Sequence, residues 1–182
     1  RLPVSTSTSA VLSAKGSIMT RANARELAVH LIYGRIFTGE EPEQVVSIRL
    51  AKEYYAKLSL ENDVYAERPS RAQMAYIDKV VSGVANRAED LNELIQKYSI
   101  GWNISRISRL TRAIMQLAIY EILYVDDVPT GVAVSEAVRI AKNYARTHGG
   151  SAPTGQWRMA PWAWALVGAA AIGLVWLAMY LV

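Results

Sequence analysis

The chain has 182 residues, 52% of them apolar, with 20 Lys and Arg against 16 Asp and Glu and no Cys. The absence of Cys excludes a disulfide framework, Cys-ligated zinc and a thiolate nucleophile. The net +4 comes from Arg1, Lys15, Arg146 and Arg158, outside a stretch at 19–145 that holds 16 basic and 16 acidic groups, so any basic footprint must be local.

Residues 1–18 are rich in Ser and Thr and hold no apolar run long enough for a signal peptide. They read as a disordered N-terminal extension, with Met19 as the expected natural start. From Thr20 the residues Ala24, Leu27, Ala28, Leu31 and Ile32 recur on one helical stripe, which Thr38 and Gly39 end. Pro42 suits a helix N-terminus and opens a second helix through Val45, Val46, Leu50 and Tyr54, before a polar loop to Pro69. Ser70 and Gln73 stand at capping-box spacing, and Met74, Ile77, Val81 and Val84 then repeat as one face. Leu91, Leu94, Ile95 and Tyr98 continue that face after Asn86, as one long bent helix or two. Residues 99–105, with Trp102, form a turn.

Ile107, Leu110, Ile114, Leu117 and Ala118 follow in helical register as far as Tyr124. Apolar residues cover most of that helix's circumference, which marks it as central and buried. Asp126, Asp127, Val128 and Pro129 stop it. A last helix carries Val134, Ala137, Val138, Ala141 and Tyr144. No segment alternates at period two for long, so the fold class is all-α, with six helices expected.

Glu121 falls near the middle of the apolar stripe of the central helix. A buried carboxylate costs several kcal/mol unless it is paired, so a structural acid is expected, with Arg25 and Arg112 as candidate partners. Arg21 and Arg25 lie one turn apart on the border of the first helix's apolar face, with Tyr33 two further turns along. On spacing alone they read as a solvated helix edge, against the alternative that they hold phosphates and stack on a base. Lys97, Arg106, Arg109 and Arg112 form a second local excess, four cations with no acid between them, whereas residues 40–67 hold seven acids and three bases. His30, on the polar side of the first helix, and His148, in a linker, have no partner at metal-ligand spacing. Asp126 and Asp127 lack the further oxygen ligands of a hard-cation site. There is no P-loop, dinucleotide glycine pattern or Ser/His/Asp set, and no cofactor or metal is expected.

The run SRLTRAIMQLAIYEILYVDDVPTGVAVSEAVRIAKNY at 108–144, with TRANARELAVHLIYG at 20–34, resembles the NusB transcription antitermination family. In particular RAIMQLAIYEILY, followed by DVP and VAVSEAVRIAK, is similar to that family's signature, and the resemblance covers residues 19–145. It implies an all-α fold of two packed helical subdomains and a non-enzymatic, cytoplasmic protein. Such a protein binds the boxA element of ribosomal RNA leaders together with NusE, a small-subunit ribosomal protein, within an RNA polymerase antitermination complex. Carried over by position, the RNA-contacting residues are Arg21, Ala22, Arg25, Glu26, Tyr33 and Asp127. The resemblance favours the RNA-contacting reading of the Arg21 and Arg25 edge. The chain departs from the pattern at Thr130 and Gly131, and it lacks a final helix of FVNGVL type.

Residues 146–158 read as a Gly/Ser/Pro linker. Residues 159–182 are 24 uncharged residues, about 36 Å as a helix, which exceeds a hydrocarbon core of ~30 Å. Trp162 and Trp164 near one end, with Trp176 and Tyr180 near the other, suit two membrane interfaces, and Arg158 before the span favours a cytoplasmic domain. Two origins stay open: a genuine anchor, or unrelated sequence joined near residue 146 in place of the family's last helix. Beside the antitermination factor stand a membrane-tethered helical interaction protein and an RNA-binding fragment of an rRNA cytosine-5 methyltransferase. The lack of Cys argues against the last.

Overall fold

The computed structural model describes residues 19–60, 63–100 and 103–148. Within them the chain is all-α, with seven α-helices, two 3-10 turns and no strand. Helix α1 (Arg21–Thr38) starts where the Thr20 hydroxyl accepts a hydrogen bond from the Asn23 amide at 3.1 Å. It stops at Gly39, whose φ of 65° is the left-handed turn that glycine adopts without a Cβ penalty. The stripe read from the sequence is its buried face, joined by Arg25 and Val29.

The single second helix expected from Pro42 is two helices, α2 (Pro42–Arg49) and α3 (Lys52–Leu58). Both Leu50 and Tyr55 are buried. Five residues apart on one straight helix, they would face directions roughly 140° apart. The extended backbone at Ala51 (ψ 139°) turns α3 so that both reach the interior, and Tyr54 is left at the surface rim. The polar loop that follows contains a 3-10 turn at Asp63–Tyr65.

The capping box at Ser70 and Gln73 is present, and it opens α4 (Arg71–Asn86). The Gln73 side-chain amide also donates to the carbonyl of Met19, whose own side chain is fully buried. Met74, expected in the core, is 38% exposed; Tyr76 and Val80 take the inward positions with Ile77, Val81 and Val84. A break at Arg87 separates α4 from α5 (Ala88–Tyr98), which settles the choice between one bent helix and two.

After a 3-10 turn at Ile104–Arg106, α6 (Arg109–Tyr124) runs through the centre and packs on α1, α4, α5 and α7 (Thr130–His148). Ile107 precedes α6 rather than belonging to it. The contacts Arg25 to Glu121 and Phe37 to Arg109 make α1 and α6 antiparallel. Gly83 lets α4 approach α6 closely, because a Cβ at that position would run into the Tyr120 ring. Helix α7 continues to His148, past residue 146, where the linker was expected to begin; the rest of that stretch lies outside the described residues. No helix among the described residues is long and apolar enough to cross a membrane; the extension at 1–18 and the apolar segment at 159–182 lie outside them.

Candidate nucleic-acid interface

The N-terminal turn of α1, the C-terminal end of α6 and the first half of α7 meet at one end of the bundle. Their charged side chains form a layered network. At its base Glu121 is 1% exposed and Arg25 is 4% exposed. The Nε–H of Arg25 is shared by the two Glu121 oxygens, each at 2.9 Å. The Tyr76 hydroxyl of α4 donates to Glu121 Oε1 at 2.7 Å. Burial alone would lower the Arg25 pKa, but the charge of Glu121 and its hydrogen bond outweigh it, and the guanidinium is held above its ordinary value. Burial raises the Tyr76 hydroxyl, and the Glu121 carboxylate raises it further. Burial thus favours the neutral phenol, which can donate where a phenolate could not.

This geometry selects Arg25 as the partner of Glu121 and corrects the exposed position that helical spacing suggested for it. Arg112, the other candidate, lies in the N-terminal half of α6, far from Glu121 along the helix.

Above the buried pair, Glu136 Oε2 accepts from Arg139 Nε at 3.2 Å and lies 3.6 Å from Arg25 Nη1. Arg139 also reaches Glu26 Oε2 at 3.2 Å and donates to the carbonyl of Ala22 at 3.3 Å. Glu26 and Ala22 thus hold α7 to the start of α1 together with the Arg25–Glu136 pair. The outer layer is Arg21, whose guanidinium lies 3.9 Å from the centroid of the Tyr76 ring and pairs with Asp127 at 3.2 Å. The Arg21 and Asp127 side chains are 42% and 69% exposed.

Five of the six carried-over residues thus converge: Arg21, Ala22, Arg25, Glu26 and Asp127. Tyr33 does not join them. It is twelve residues from Arg21, about 18 Å along the helix, and meets Phe37 edge-on with ring centroids 5.0 Å apart. His30, read from the sequence as lying on the polar side of the first helix, packs its ring between Tyr65 and Tyr144 at centroid distances of 5.9 and 5.6 Å.

Tyr76, Glu136 and Arg139 were not singled out from the sequence. The i,i+3 spacing of Glu136 and Arg139 on α7 was a visible signal. Tyr76, an aromatic inside an ordinary apolar stripe, gave none.

A family model described as the NusB family matches residues 22–151. The Transcription antitermination protein NusB of Acetivibrio thermocellus is 38% identical over 133 residues, 73% of this chain and 82% of the relative. That of Symbiobacterium thermophilum is 33% identical over 126 residues, covering 69% and 78%. Among solved structures, T. maritima NusB superposes with a TM-score of 0.56 at 22% identity, over 84% of this chain and 92% of that one. A chain from a structure described as the crystal structure of a plectonemic RNA supercoil gives a TM-score of 0.58 at 19% identity, over 85% and 96%. At these identities the two superpositions speak for the fold.

Proposed function

Because the chain belongs to the NusB family, we propose that it acts as an RNA-binding transcription antitermination factor in the cytoplasm. It takes a boxA-like element of a ribosomal RNA leader together with NusE and joins RNA polymerase to suppress termination in rRNA operons. No step of this role needs a catalytic group. The observation that carries the RNA site is the placement of Arg21, an open guanidinium stacked on Tyr76 and steered by Asp127 from 106 residues away. Single-stranded RNA is recognised by cations on its backbone and planar groups against its bases, and a stacked Arg offers both.

Within this reading Arg21 touches RNA, while Arg25, Glu26 and Ala22 are positioning groups that fix the turn carrying it. Arg21→Ala should weaken boxA binding and reduce the slope of log affinity against log salt by about 0.7, the contribution of one phosphate on a single strand. Filter binding across a salt series reads this directly, and an unchanged slope would remove Arg21 from the interface. The uncharged run at 159–182 favours a second, compatible reading in which the domain is tethered to a membrane. Fractionation of the full chain tests it, and recovery wholly in the soluble fraction would exclude the tether.

A further inference from the structure

Arg139 reaches the start of α1 from far along the chain. Its Nη1 donates to Glu26 Oε2 at 3.2 Å and its Nη2 to the Ala22 carbonyl at 3.3 Å, 113 and 117 residues away in sequence. Its Nε donates to Glu136 Oε2 on its own helix at 3.2 Å. The three nitrogens of one planar fork thus serve three acceptors on two helices. A lysine has one ammonium centre on a flexible stem and does not reproduce that pattern.

The start of α1 is gripped from two sides. On the α4 side the Gln73 amide donates to the Met19 carbonyl, and the Tyr76 ring lies under the Arg21 guanidinium. On the α7 side Arg139 holds the backbone itself at Ala22, the residue next to Arg21. Ala22 and Glu26 are four apart, so they share one face of the helix, and Arg21 projects from an adjacent one toward Tyr76 and Asp127. The Arg139 charge is already met by two carboxylates, whose side chains are only 15% and 19% exposed. A phosphate approaching Arg139 would meet those acids as well, which argues against a direct RNA contact.

We propose that Arg139 is a positioning residue for RNA recognition. Without touching the RNA, it fixes the first turn of α1 at the angle at which Tyr76 and Asp127 receive Arg21. The proposal rests on the RNA-binding reading above and adds α7 to the elements that set the Arg21 geometry.

Filter binding of boxA RNA by the full chain across a salt series tests this, with each substitution made in the wild-type and Arg21→Ala backgrounds. In the wild-type background Arg139→Gln and Arg139→Lys should both weaken binding by about five-fold, because the fork is lost whether or not the charge is kept. In the Arg21→Ala background neither should change the affinity or the salt slope further. Equal weakening in both backgrounds would overturn the proposal: a direct phosphate contact would add a further fall of about 0.7 in slope for Arg139→Gln, and a loss of folded protein would add none. Wild-type binding by Arg139→Lys would also overturn it, since charge alone would then suffice. If Arg21→Ala weakens binding while both Arg139 variants bind like the wild type, the positioning role fails and the antitermination reading stands. If Arg21→Ala leaves binding unchanged, the Arg21 site and the positioning role fall together.

Discussion

Arg25 and Glu121 form a buried ion pair whose work is structural. Two opposite charges out of water are tolerable because each is neutralised and the Tyr76 hydroxyl satisfies one more carboxylate lone pair. Removing one partner leaves the other buried and uncompensated. Arg25→Ala should therefore destabilise the domain by about 3–5 kcal/mol, whereas Arg21→Ala, which opens a partly exposed pair, should cost about 1 kcal/mol or less. Urea denaturation of the two variants separates these effects, and equal midpoints would contradict the layered account.

The tyrosines set a limit at high pH. Burial, aided by Tyr65, pushes the Tyr55 hydroxyl up to about 12 from its ordinary 10.0, and Tyr76 is also raised. A raised folded-state value means that stability is full below the unfolded value of 10.0 and is lost as pH rises from there through the folded value. The urea midpoint should thus hold on the neutral side and fall above pH 10.0. Tyr55→Phe should make that fall shallower. A slope identical to wild type would mean that Tyr55 ionises as freely when folded as when unfolded.

At the scale of elements, the pattern of apolar residues was enough to place the helices wherever one face meets one core. The stripe of α1, the capping box of α4 and the buried circumference of α6 were all legible for that reason. The break between α2 and α3 was not, since no Gly or Pro marks Ala51 and the cause is the joint burial of Leu50 and Tyr55. Met74 failed similarly: periodicity defines a stripe, but its edge depends on which neighbours are present. Of the site, Glu121 was legible as a charge on an apolar face. Its pairing with Arg25 was one of two options until the antiparallel packing of α1 on α6 decided it. The close approach of α4 to α6 has its own test. Gly83→Ala should displace the Tyr120 ring and cost about 1–3 kcal/mol of stability by urea denaturation. A neutral result would show that Tyr120 moves aside freely.

Across the whole molecule, the described domain is formally neutral between residues 19 and 145, and its charges are sorted by place. Acids and bases cancel where α1, α6 and α7 meet, and along the sequence cations stand without acids between Glu93 and Glu121. On the proposed reading, RNA affinity comes from local arrangement rather than from net charge, so specificity should survive at salt concentrations that suppress nonspecific binding. The proposed recognition of a boxA-like element would require such selectivity. The most direct test is the ratio of affinities for a boxA RNA and a scrambled RNA of equal length, measured with NusE present at one fixed, near-physiological salt concentration. We predict that boxA binds at least about ten-fold more tightly and that Arg21→Ala narrows the ratio; equal affinity for the two RNAs would contradict the assignment.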